Sequence, residues 1–355
     1  MPFGTILFDA LIFLILITLT VTIHELGHFW LARRRSVRVD VFSIGLGREL
    51  FGWTARTGTR WKIALLPIGG YVRFSAPIET AATPGARAAI LIGGPLANFV
   101  LAFCLLAGLY LTAGRAVILP TVDVLEPGSP ALAAGMTVGD RVLRIAGVPI
   151  GGIEELQRVV QSHLDQPVAV EVERGGQTVT LTVTPRSGEM QDGTGRTRHL
   201  VRLGLQSTTM VRIRESAVAA IVDAAREVAN QSIGILSGLR RIVLGQQSAG
   251  DIGGVIQIAQ ISGVVAHTGS EATIEFLALL SVNLGLINLL PVPLLDGGQL
   301  VFCGLEALRG RPLGRRAEGL VAMAGFFTIG ILMLLGNFND LVHTGFFGTL
   351  FGGTR

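Results

Sequence analysis

Two histidines four residues apart, His24 and His28, enclose a glutamate in the run His24-Glu25-Leu26-Gly27-His28. On a helix, positions i and i+4 share one face, so both imidazoles can hold one metal ion while the Glu25 carboxylate points near the same spot. A carboxylate beside a metal that binds water can act as a general base, and the chemistry this implies is hydrolysis. Zinc suits such a set and takes a third protein ligand when it leaves a position open for water. Asp296, within Pro291-Val292-Pro293-Leu294-Leu295-Asp296-Gly297-Gly298, is the residue expected to supply it. The competing account of Asp296 is a salt bridge with an arginine. Cys104 and Cys303 sit in apolar runs and are expected neither as ligands nor as a disulfide framework, while His163 and His199 are expected at the surface.

The setting of the motif sharpens this expectation. It lies inside an apolar run from residue 4 to residue 32, longer than the roughly 20 residues a helix needs to cross a bilayer. Titratable groups at membrane depth are costly, have no water to solvate them, and so point to function. Half of the 355 residues are hydrophobic and only 15% are charged, and the mean hydropathy is +0.58. Those values suit a multi-span membrane protein with some polar mass attached. The pI near 9.8 does not imply nucleic acid, because the basic residues are not spread as a binding patch. With no basic residue before it, and too long for a signal peptide, the first run is expected to stay attached.

Charge then sets an expected topology. Residues 33–87 hold nine arginines and Lys62 against Asp40, Glu49 and Glu79, a net of +7, which places this loop in the cytoplasm and the N-terminus outside. Within it, residues 39–47 and 60–74 are rich in β-formers punctuated by glycine, predicting short strands with turns. They could form an interfacial hairpin that only snorkels Arg and Trp, or a strand edge beside the metal able to pair with an extended peptide. A second span is expected at 88–113; its small residues permit close packing, and Asn98 is assigned a structural, helix-joining role there.

Residues 114–273 balance 14 arginines against 15 acidic residues and are placed outside. Within them, 120–205 reads as a compact β-rich domain with turns at Pro127–Pro130 and Gly175-Gly176 and alternation at Val168, Val170 and Val172. A helix is expected from 154 to 164 and a loop from 186 to 199. Residues 213–244 have amphipathic helical spacing and are expected to lie on the outer membrane surface or to dock on the β-rich domain. A third span begins near residue 274 and is broken by Pro291 and Pro293, as occurs at membrane depth where backbone lines a site. Arg309, Arg311, Arg315 and Arg316 return the chain to the cytoplasm, and a fourth span is expected at 319–335. Both topology arguments bring the motif and Asp296 to the cytoplasmic side of the bilayer.

At these residues the chain resembles a known family. His24–His28 resembles the metal motif of the site-2 proteases, and Asn288-Leu-Leu-Pro291-Val-Pro293-Leu-Leu-Asp296-Gly297 is similar to their NxxPxPxxDG signature. The nearest likeness is to RseP-like bacterial regulators of intramembrane proteolysis. FSIGLG at 42–47 and PIGGYV at 67–72 resemble that family's membrane re-entrant β-hairpin, and Gly94-Pro95-Leu96-Ala97-Asn98 its second-helix motif. The block 120–205 resembles one PDZ domain of the bacterial type, where well-known relatives carry two. Val255 stands where many relatives have proline.

The resemblance implies a polytopic α-helical membrane protein with four transmembrane helices, a re-entrant β-hairpin and an inserted β-rich PDZ domain. Its expected parts are residues 1–113 (first transmembrane pair), 114–209 (PDZ domain), 210–273 (amphipathic connector) and 274–355 (second transmembrane pair). The implied protein is a multi-pass protease of the bacterial inner membrane, with its termini and PDZ domain extracytoplasmic. Zn2+ would be held by His24, His28 and Asp296, with Glu25 as general base and Asn288 binding substrate backbone or the developing oxyanion. Implied partners are lipid and single-span membrane substrates, anti-sigma factors among them, already trimmed by an upstream site-1 protease. Nucleic acid is not among them. The alternative is a catalytically inactive PDZ-bearing scaffold with a structural metal, for which Glu25 has no evident use.

Overall fold

The computed structural model describes residues 3–76, 82–191, 197–214, 216–245 and 254–311, with isolated residues beyond 318. Two compact units emerge: Met1–Tyr110 with Ala217–Arg355, and Leu111–Ser216. Of the expected fourth span at 319–335 only scattered residues are described.

The first unit is built on apolar helices. Helix α1 (Phe3–Arg34) has 32 residues, about 48 Å at 1.5 Å per residue, which exceeds the hydrocarbon thickness of about 30 Å. Its end is set locally. Ser36 adopts φ +59°, the Ser36 N–H donates to Arg33 O at 3.2 Å, and the Val37 N–H donates to Ala32 O at 2.9 Å. That pattern satisfies carbonyls the helix leaves open, and Ala32 and Val37 pack together as the apolar contact that accompanies it. Arg33 and Arg34 in the last turn complement the helix dipole.

Strands β1 (Val39–Thr54) and β2 (Arg60–Phe74) follow as an antiparallel pair that folds on itself. Glu49–Thr54 pairs with Arg60–Ala64, and Val39–Ile44 with Gly70–Phe74; Val41–Ile44 also runs in step beside Arg60–Ile63. The bend falls at Gly45 and Gly47 on one strand and Gly69 on the other, at φ +85°, +90° and +90°, where a side chain would be strained. Phe29 of α1 meets the rings of Phe42 and Trp61 at centroid distances of 5.7 and 5.2 Å, fastening the hairpin to the helix.

Helix α2 (Pro84–Thr112) opens on proline, where a missing N–H costs nothing, and crosses α1 so closely that a Cβ on Gly27 would strike the Gly93 carbonyl. These two helices and Ser270–Asn288 are long and apolar enough to cross a membrane. The chain is a membrane protein on those grounds.

Helix Asp296–Arg309 returns beside α2, where Arg87 and Glu306 form a buried ion pair. Removing one partner strands a charge away from water. Arg87→Met alone and Glu306→Leu alone are each expected to destabilise by about 3–5 kcal/mol, and the double change to recover most of it. Thermal unfolding in detergent checks this; a double variant no better than the singles would count against the pair.

The second unit packs an apolar core, including Met136, Val142, Ile145, Val170, Val172 and Val183, under a four-stranded antiparallel sheet. Its strands are β3 (Arg141–Ile145), β4 (Val148–Pro149), β5 (Val168–Arg174) and β6 (Gln177–Val183), in the order β4-β3-β5-β6, with helix Ile153–Gln161 alongside in sequence. The alternation of valines on β5 is buried as its period requires.

One expectation is corrected here. Where a loop was expected over 186–199, Arg186–Gln191 and Thr197–Arg202 pair antiparallel, Arg186 opposite Arg202 and Glu189 opposite His199. The stretch carries no apolar alternation, so a reading by hydrophobic period finds no signal where backbone pairing alone makes the ladder.

Asp140, with no side-chain exposure, accepts from Arg174 Nε at 2.8 Å and Nη2 at 2.6 Å and from the Thr137 N–H at 2.9 Å. The Arg174 guanidinium holds its carboxyl below the usual carboxylate range, against the opposing effect of burial. A depressed folded-state pKa adds stability that is complete above the ordinary value of about 3.9 and is lost as pH falls through the lower one. Asp140→Asn is therefore expected to cost about 2 kcal/mol at neutral pH, with the gap to wild type closing in acid. Amide hydrogen exchange of this unit in the full chain measures both.

The amphipathic helix expected at 213–244 runs from Ala217 to Val243, while Met210–Ile213, expected to open the connector, pairs as a strand with Arg115–Ile118. A further helix, Val255–Thr268, begins at Val255. The third apolar helix then starts at Ser270 rather than near 274.

Candidate metal centre

Every side chain of the proposed centre is delivered by an apolar helix or the break between two of them. His24 and His28 stand one turn apart on α1, 6% and 9% exposed. Asp296 comes from the far end of the chain. The helix Ser270–Asn288 stops, seven residues run without helix, and Asp296 opens the next helix. Pro291 and Pro293 cannot donate to a continuing helix, and Leu294 takes φ +79°. The loop folds back so tightly that a Cβ on Gly297 would strike the carbonyls of Leu289 and Leu290, and one on Gly298 that of Val292. The Asp-Gly-Gly run is thus what lets the carboxylate sit at the mouth of the break.

Three atoms converge. Asp296 Oδ2 lies 3.1 Å from His24 Nε2 and 3.4 Å from His28 Nε2, and the two nitrogens are 3.1 Å apart. A tetrahedron of ligands about 2.05 Å from zinc has edges of about 3.3 Å, so this triangle has the size of one face of a zinc site. Oδ2 is buried, with no aligned hydrogen-bond donor among the described residues. Gly94 of α2 supplies the remaining room: a Cβ there would overlap Nε2 of both histidines. Lone pairs brought this close in a buried site repel unless a cation holds them, and the donor set fits zinc. Asp296 faces imidazoles, and the arginine salt bridge is not what the described residues form.

Glu25 is half-buried on the same turn of α1, beside the hairpin edge at Gly70. Gly70 leaves space for it: a Cβ there would be 3.4 Å from Glu25 Cγ. The Thr18 hydroxyl donates to the Pro67 carbonyl, which ties the hairpin bend to α1. Segment Gly70–Phe74 pairs with β1 on one side only among the described residues. Tyr71, Val72 and Phe74 line a cavity of about 380 Å³ together with His24, Glu25, His28, Asn288 and Asp296. That volume has room for a short extended segment. Asn288, the last residue of its helix, shares the cavity wall but is not one of the three convergent donors.

A helix-joining role is expected of Asn98 from the sequence. It does join helices, since its carbonyl accepts from Ser281 Oγ at 2.9 Å, yet its fully buried amide also stands 3.3 Å from His24 Nδ1. The signal was an amide at membrane depth, which needs a polar partner; which partner could not be read without the fold. Cys104 and Cys303 form no disulfide, and neither belongs to the cluster.

A buried pair of histidines and an aspartate, with a glutamate beside them and apolar helices around them, define a membrane metallohydrolase. The chain belongs to peptidase family M50, the site-2 proteases, whose family model matches residues 12–332. It is 38% identical to a protein of Rhizobium meliloti named "Putative zinc metalloprotease", over 93% of this chain and 95% of that one. It is 34% identical to "Metalloprotease MmpA" of Caulobacter vibrioides, over 92% and 94%. The solved PDZ domain of an SdrC-like protein from Listeria monocytogenes aligns with 24% of this chain and 84% of its own, at 17% identity and a TM-score of 0.20. The chain is a zinc metalloprotease.

Proposed function

We propose that this protease cuts peptide bonds within or near the membrane segments of single-span proteins, with zinc held by His24, His28 and Asp296. The observation that carries the proposal is the burial of His24 and His28 on a helix apolar enough to cross a bilayer, with the Asp296 carboxylate brought to both from the break that follows the apolar helix Ser270–Asn288. A site so placed meets substrates that are themselves in the membrane. Bound zinc supplies Lewis acidity and makes water a usable nucleophile near neutral pH. Glu25 takes the proton of the attacking water and passes it to the leaving amine. Asn288 binds the substrate backbone or the oxygen on which charge develops.

A transmembrane helix hides its carbonyls in its own hydrogen bonds, so the substrate must unwind before it is cut. The edge Gly70–Phe74 is the proposed receiver: pairing there would hold the unwound segment extended beside Glu25. In this proposal β1 and β2 form a re-entrant hairpin, four helices span the inner membrane, and the site faces the cytoplasm. Residues 114–209 form an extracytoplasmic PDZ domain that screens out bulky ectodomains or binds a newly exposed C-terminus. Anti-sigma factors already cut once on the outer side, by a separate protease, are the proposed substrates.

The test is reconstitution of the full chain with a tagged single-span protein and sequencing of the fragment ends. A cut inside the apolar segment is expected. Cuts confined to soluble loops, or equal cleavage of an unfolded soluble chain, would overturn the proposal.

A further inference from the structure

We infer that Asn98 is the positioning residue for His24, its side-chain oxygen accepting the Nδ1–H and so turning the Nε2 lone pair toward the metal position. The inference rests on the zinc reading above and adds a residue to it. A ligating imidazole uses one nitrogen and hands the other N–H to an acceptor, which sets tautomer and ring orientation. His28 does this with the backbone: its Nδ1 is 2.8 Å from the Ile90 carbonyl, which can only accept. The proton of that ring is therefore on Nδ1, and Nε2 is left open toward Asp296.

His24 is arranged the same way, Nε2 toward Asp296 and Nδ1 toward Asn98. With the amide turned so that Nδ2 faces Nδ1 at 3.3 Å, two things go wrong. A donor facing Nδ1 forces the ring proton onto Nε2, into the donor triangle, and Asn98 Oδ1 is left buried with no hydrogen-bond partner. A half-turn of the amide repairs the first and offers Oδ1 a partner, since oxygen and nitrogen exchange places. Asn98 is itself held firmly. Its carbonyl is tied to Ser281, and Gly285 lets the neighbouring helix approach so closely that a Cβ there would be 3.2 Å from Asn98 Cβ.

The test separates acceptor from donor. Asn98→Asp keeps oxygen acceptors and loses the donor; Asn98→Leu keeps the size and loses both. Zinc affinity of the purified full-length protein is measured by competition with a chromophoric chelator. The expected result is a loss of about 10- to 100-fold for Asn98→Leu, the usual effect of removing such a partner, and near wild-type affinity for Asn98→Asp. If Asn98→Leu binds zinc as wild type does, or Asn98→Asp is as weak as Asn98→Leu, the inference falls while the zinc site stands. If wild type itself binds no zinc, both fall. Because a buried substitution can prevent folding, nitrogen NMR of the unsubstituted, zinc-loaded protein labelled at histidine gives a second measurement. His24 is expected to carry its proton on Nδ1, and a proton on Nε2 would overturn the inference.

Discussion

Glu25→Gln is expected to abolish cleavage while leaving zinc in place. Glutamine has the same shape, so the close approach of this side chain to the hairpin edge at Gly70 is kept. What disappears is the capacity to take a proton, a contribution of about 10²- to 10⁴-fold in rate, or about 3–5 kcal/mol of barrier. The measurement pairs turnover of a tagged membrane substrate with metal content of the same preparation. Unchanged zinc with rate lost marks Glu25 as the base. Unchanged rate would remove it from the mechanism, and zinc lost together with rate would make it a structural neighbour of the site.

Asp296→Asn is expected to lose both metal and activity. Nothing about residue size changes, and the helix it opens loses only an acidic residue from its first turn, worth about 0.3–1 kcal/mol. The effect on zinc is far larger, because the variant removes the one anionic ligand of three. It should exceed the ~10- to 100-fold typical of losing an outer partner. A ligand that binds only the folded chain stabilises it in proportion to its affinity, by about 2.7 kcal/mol at a hundred times Kd. Melting of wild type should therefore drop on adding a chelator, while Asp296→Asn should melt at one temperature with or without it. A variant that keeps its chelator-sensitive melting would show that the third ligand lies elsewhere. The two variants part company in one respect: the first loses rate with zinc present, the second because zinc is absent.

The proposed metal donors were legible because each is costly where it stands. His24, Glu25 and His28 share one helical face by spacing alone, and histidines inside an apolar run have no ordinary reason to be there. Asp296 was readable by the same economy, a carboxylate following two prolines that must break a helix. The long apolar helices likewise followed from composition, and family membership rests on matches along most of the chain.

What the linear chain left undecided is whatever depends on groups that approach through space. That Gly94 stands over both imidazoles rather than only easing helix packing, that Asn98 meets His24, and that Arg87 finds Glu306 across 219 positions are results of how helices cross. The paired strands Arg186–Gln191 and Thr197–Arg202 escaped because a ladder of backbone hydrogen bonds leaves no mark in hydrophobic periodicity. Residue type and spacing determined which side chains could do the chemistry. The tertiary structure decided which of their atoms face one another, because orientation is set by partners distant in sequence.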